Sequence, residues 1–85
     1  MRKSESATQV WTLATIPVGQ PVDVLTVGPE GADLLLVHGV RPGTRLVVET
    51  EAPFGGPRIL RLGRSRVAVA RRLAEGVTVA PVVAG

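Results

Sequence analysis

The segment Leu34–Glu51, LLLVHGVRPGTRLVVETE, constrains this 85-residue chain more than any other. An apolar run is cut off by a glycine, turned by a proline-glycine pair and restarted as an alternating strand. Leu34, Leu35, Leu36 and Val37 follow Glu30, Ala32 and Asp33, which suit a first helical turn. Four consecutive apolar residues also fit a buried strand; the flanking Gly31 and Gly39 and the acidic start favour a helix over Glu30–His38. Gly39 stands where a helix ends in a left-handed residue. Pro42-Gly43 makes a turn, with proline pre-setting φ and glycine free to take φ > 0. Beyond it, Arg45, Val47 and Glu49 alternate with Leu46, Val48 and Thr50, the period of a strand with one buried face. A helix must therefore dock on a sheet built from its neighbours on both sides.

Those neighbours read as further short strands. Val22–Val27 is closed by Gly28-Pro29. Thr44–Glu51 is followed by a hairpin loop, Ala52-Pro53-Phe54-Gly55-Gly56-Pro57, and then by Arg58–Leu62. Gly63-Arg64-Ser65 turns the chain into Arg66–Val69. Ala70–Gly76 holds one helical turn, and Val77–Ala80 returns to pair with the first strand. Ahead of them, Trp11–Ile16 is a lead-in in which Thr12 caps a single turn and Leu13 and Ile16 plug one end of a barrel. Residues 1–10 and 82–85 are expected to be flexible tails. The expected fold is all-β with one short helix: a small, partly open barrel of about five strands, near closure limiting the exposed edges.

Composition sets outer bounds on function. A chain this size buries only about 60–65% of the surface it exposes when unfolded, and here aliphatic residues must do it, with one Trp, one Phe and no Tyr. No cysteine is present, which excludes disulfides, thiolate zinc sites and thiol catalysis. The polar start lacks the apolar segment of a secretory signal, and no apolar run approaches the roughly 20 residues of a membrane span. A cytoplasmic location is expected. The sequence pI near 11.1 reflects nine arginines and one lysine, but the net charge is only +3.

Four phrases in order carry a resemblance: Leu13-x-x-Ile16-Pro17-x-Gly19, Gly39-Val40-x-Pro42-Gly43-Thr44, Ala52-Pro53-x-Gly55-Gly56-Pro57 and Val67-Ala68-Val69-x-Arg71. Over residues 11–81 the chain resembles the FeoA family, small SH3-like barrel proteins of bacterial ferrous iron uptake. The resemblance implies a non-enzymatic accessory role, exercised by docking to the cytosolic region of FeoB, a permease with a GTPase domain. The same domain type occurs at the C-terminus of diphtheria-toxin-repressor-type metalloregulators, which supplies the alternative reading. No helix-turn-helix or dimerisation segment precedes it here, so the free-standing form fits better. Two departures stand out. Members often carry basic residues where this chain has Ala32-Asp33-Leu34-Leu35-Leu36, and an apolar residue where it has His38.

Candidate chemistry is sparse. There is one histidine, no cysteine and no G-x-S-x-G, so no catalytic residue is assigned. Metal would have to use His38, Glu49 or Glu51, with Asp23 and Asp33 as further carboxylates, and none of the usual ligand spacings is present. No cofactor is expected. Glu49 and Glu51, two apart on a strand, are expected to share a solvated face and to pair with Arg58 or Arg61 across the hairpin. The arginines of residues 58–72 invite a phosphate partner, but Trp11 and Phe54 lie outside that segment, so nucleic acid is not the expected partner. Arg61, Arg64 and Arg66 also suit the protection of an edge strand.

Docking is better served. A helix reading Leu-Leu-Leu-Val cannot bury all four residues on one side, which leaves an apolar patch for a partner or a second copy. Phe54 at a loop tip either anchors a partner or folds back over the barrel mouth. The residues expected to dock are Leu35, Leu36, His38, Arg41 and Phe54, with Arg71 and Arg72 after them.

Overall fold

The alternation that marks Leu46 and Val48 becomes the inner face of a six-stranded antiparallel sheet curled round one aliphatic core. The computed structural model describes residues 10–83; the expected tails, 1–10 and 82–85, lie largely outside the described residues. In chain order the elements are β1 (Trp11–Thr12), β2 (Pro21–Val27), α1 (Ala32–Val37), β3 (Arg45–Glu51), β4 (Arg58–Leu62), β5 (Ser65–Val69), α2 (Arg71–Ala74) and β6 (Val77–Pro81). The sheet runs β1-β6-β2-β3-β4-β5, so β6 does return beside β2, and β1 and β5 form the two edges. This is the expected β-rich, partly open barrel with one strand and one helix more. The extra strand is a two-residue pairing of Trp11 and Thr12 with Val79 and Thr78, too short to leave a periodic signal. The end of β6 is also firmer than expected: Pro81 lies within the strand, and the Val82 N–H donates to Pro21 O at 2.9 Å.

Leu13, Ile16, Val22, Val24, Leu46, Val48, Leu60, Val77 and Val79 fill the interior with almost no exposed area. Thr12 caps the lead-in turn as expected, its carbonyl accepting from Ile16 N–H at 2.9 Å and its Oγ1 from Ala14 N–H at 3.1 Å. That turn delivers Leu13 and Ile16 into the core.

The chain from Leu35 to Thr44 is tied end to end. Gly39 N–H donates to Leu36 O and Val40 N–H to Leu35 O, both at 2.9 Å, with φ 88 at Gly39. This is a Schellman stop, and its apolar contact joins buried Leu35 to buried Val40. Pro42-Gly43 forms the following turn, closed by Thr44 N–H to Arg41 O at 3.0 Å. Thr44 Oγ1 then donates back to Gly39 O at 3.0 Å, and Val24 brackets the turn through both its backbone groups. The Gly-x-x-Pro-Gly-Thr phrase is a self-bonded strap laid along β2. Helix α1 is two residues shorter at its start than expected, because Gly31 sits at its N-cap with φ 79 and Glu30 falls outside it.

Among the described residues, a single charged side chain enters the core. Arg58 on β4 is 6% exposed. Its Nη1 donates to the carbonyls of Leu13 at 2.8 Å and Ile16 at 2.5 Å, and its Nη2 to Glu51 Oε1 at 2.7 Å. The guanidinium thus joins the lead-in after edge strand β1 to the far side of the sheet. Removing one partner of a buried, hydrogen-bonded charge costs about 3–5 kcal/mol. Arg58→Ala is expected to lose that much in urea unfolding. Arg58→Lys should recover little of it, because a compact ammonium lacks the planar fork that spans two carbonyls and a carboxylate.

Candidate functional site

The apolar surplus of α1 is larger than the sequence suggests. Only Leu35 turns inward, at 2% exposure; Leu34 and Leu36 are about half exposed and Val37 is 80% exposed. A six-residue helix seated on a curved sheet presents one position per turn to it, and Leu35 takes that place beside Val40. The expectation that Leu35 meets a partner is corrected on this ground: it belongs to the core. Leu36, by contrast, lines an open apolar groove of about 240 Å³ with Val27, Ala32, Val40, Arg41 and Pro42. Arg41 is the one charge in that groove. His38 caps the helix through its backbone, its N–H donating to Leu35 O at 3.0 Å, and its side chain is exposed.

Phe54 does not fold back over the barrel mouth. It stands fully exposed on the β3–β4 loop. Phe54 and Gly55 have φ of 61 and 73, the only positive φ among the described non-glycine residues being that of Phe54. Gly56 N–H closes the turn onto Pro53 O at 3.2 Å, and Ala52 N–H bonds Pro57 O at 2.9 Å. Gly56 must be glycine, because a Cβ there would stand 2.7 Å from that of Ala52. An aromatic residue in the left-handed region costs about 1–3 kcal/mol. The loop holds its largest apolar side chain away from the body against that local preference.

Helix α2 connects the two regions. The Arg71 side chain lies alongside Gly55. It also faces Glu51 and Glu75, both at 3.7 Å. Arg72 meets Glu30 at 3.3 Å, and Leu73 packs over Gly31 at the start of α1. Two clusters result from the seven residues expected to dock. Leu36 and Arg41 share the groove, and Phe54 and Arg71 share the loop. The sequence reading does not single out the other lining residues, Val27, Ala32, Val40 and Pro42, for docking. Counting from Leu35 as the inward residue would have marked Ala32 and Leu36 as its flanks.

Among the described residues, arginine engages three of the carboxylates considered as metal ligands and leaves Asp33 unengaged. Glu49 accepts from Arg61 at 2.9 Å and Arg66 at 2.8 Å, Asp23 from Arg45 at 2.8 Å, and Glu51 from Arg58. Glu49 and Glu51 do not share a face. A bulge between Val48 and Thr50 sets two β3 residues against one on β4, which flips the parity. Glu49 stays with the outer arginines, while Glu51 moves to the side of buried Arg58. Among the described residues, no group of three or more His, Cys, Asp or Glu lies together. The Arg61 and Arg66 hydrogen bonds hold the Glu49 carboxyl below its ordinary pKa, and the Arg45 hydrogen bond does the same for Asp23.

A family model described as FeoA domain matches residues 11–81. Among solved structures the chain is similar to an iron uptake regulatory protein (FeoA), with 27% identity over 88% of this chain and 100% of that one, TM-score 0.77. It is also similar to the FeoA protein from Chlorobium tepidum, with 27% identity over 86% of this chain and 71% of that one, TM-score 0.79. A manganese-dependent transcriptional repressor aligns over 86% of this chain and 42% of its own length, TM-score 0.77, but at 17% identity the likeness is one of fold alone. No curated protein sequence matches.

Two outcomes follow from this geometry. Phe54→Gly is expected to leave thermal stability unchanged or to raise it by up to about 1 kcal/mol, since relief of the left-handed strain outweighs glycine's extra chain entropy. Because the folded pKa values of Glu49 and Asp23 are depressed, the stability they supply is complete above the unfolded carboxylate range and is lost as pH falls through the lower folded values. The urea midpoint should therefore drop as pH falls below the ordinary carboxylate range, about pH 4, and Glu49→Gln should shrink that drop.

Proposed function

The chain is a member of the FeoA domain family, and we propose that it serves ferrous iron uptake as an accessory protein, docking without chemistry of its own onto the cytosolic region of a FeoB-type permease. The observation that carries this reading is the uncovered apolar face of α1, with the groove of Leu36, Val40 and Pro42 beside it. Surface of this kind is the ordinary mark of a partner site. Arg41 at the groove favours an apolar partner side chain with a carboxylate close by. Phe54, held outward at a cost in backbone strain, supplies a second anchor of the aromatic type that dominates interface energetics.

Membership of the family and similarity to FeoA structures support the link to ferrous iron transport. No helix among the described residues is long and apolar enough to cross a membrane. A cytoplasmic position beside the permease goes with this reading.

Calorimetric titration of the folded chain against the cytosolic region of its cognate permease tests it. Binding in the micromolar range is expected, weakened at least about tenfold by Leu36→Asp and by Phe54→Ser. No heat at high micromolar concentration of both proteins would overturn the assignment.

A further inference from the structure

The outer face of the β4–β5 hairpin gathers three arginines for which docking has no use. Arg61 on β4 and Arg66 on β5 are direct cross-strand partners, and Arg64 sits on the two-residue turn between the strands. Like charges placed directly opposite destabilise a sheet. Together the three line a concavity of about 400 Å³. Glu49 reaches in from β3 and takes one nitrogen from each strand arginine, Nη1 of Arg61 and Nε of Arg66. It offsets one charge of three, holds two guanidiniums in place and leaves most of their N–H donors unspent. Among the described residues Arg64 has no carboxylate partner, so the concavity keeps a formal charge of +2.

We propose that this hairpin is a binding site for a compact phosphate group. Guanidinium forks match the paired oxygens of phosphate, and the charge is that of a doubly ionised one. Trp11 and Phe54 are not among the lining residues, so nothing there stacks a base. The site recognises the phosphate itself, whether of a free polyphosphate or of a lipid headgroup. Edge protection alone does not require convergence: one charge along β5 deters pairing, and lysine serves that role well.

The full chain is titrated at low ionic strength with inorganic pyrophosphate while its backbone amides are followed by NMR. In a parallel arm it is sedimented with phosphatidylglycerol vesicles. Saturable shifts centred on residues 61–66 and Glu49 are expected in the first arm if the source is soluble, and vesicle binding alone if it is a headgroup. In whichever arm binds, Arg64→Gln should weaken the apparent affinity about tenfold, the worth of one charge-assisted hydrogen bond. Glu49→Gln, which removes the competing anion and keeps an acceptor, should tighten it. Melting curves confirm that both variants stay folded. Failure of both arms with a folded sample overturns the proposal. So does binding that Arg64→Gln leaves unchanged, or shifts spread equally over Arg45 and Arg72. None of these outcomes bears on permease docking, which uses the α1 groove and the Phe54 loop.

Discussion

A barrel with two edges needs something to hold its seam, and here that is the guanidinium of Arg58. Strands β1 and β5 are not paired with each other, and β1 is only two residues long. Backbone ladders therefore cannot fix the lead-in of Leu13–Ile16 against the far half of the sheet. Arg58 does so with bonds to two carbonyls and to Glu51. Its Nε is buried without a partner among the described residues, a cost of about 1–3 kcal/mol that the other bonds offset. The arrangement reaches outward as well. Glu51 also faces Arg71, and Arg71 lies against the loop that carries Phe54. The plug, the seam and the exposed aromatic thus share one chain of contacts.

Most of the architecture was legible because the relevant signals are local. The Schellman stop at Gly39, the turn at Pro42-Gly43 and the alternation through Leu46 and Val48 each depend on residues within a few positions. The limits show in Glu49 and Glu51. Spacing of two places them on one face only while the register is regular, and the bulge beside Thr50 belongs to the pairing with β4 rather than to β3 alone. Arg58 was hidden for the same reason. In sequence it is one of a group of surface-looking arginines, and only the fold brings the carbonyls of residues 13 and 16 within its reach. At the docking surface, the need to expose part of the leucine run could be counted from the helix. Which leucine turns inward could not, since that depends on where Val40 packs.

The geometry separates what stabilises the molecule from what it presents. Leu35, Val40 and the Thr44 strap hold α1 in place from below, so the outward residues can vary without loosening it. Phe54 is similar: the turn that supports it is closed by backbone bonds and by the tight fit at Gly56. The β4–β5 hairpin, with its convergent arginines, lies in a different part of the sheet from the α1 groove. Two surfaces of opposite chemistry can then act without competing for the same residues.

The pairing of β1 with β6 has a consequence for how such a unit is used. Trp11 stands opposite Val79, so residue 10 enters and residue 83 leaves on the same flank of the barrel. A unit whose entry and exit adjoin can be spliced into a longer polypeptide, or hung from one, with little distortion of either. The same architecture making up less than half of a repressor's length is in keeping with that portability.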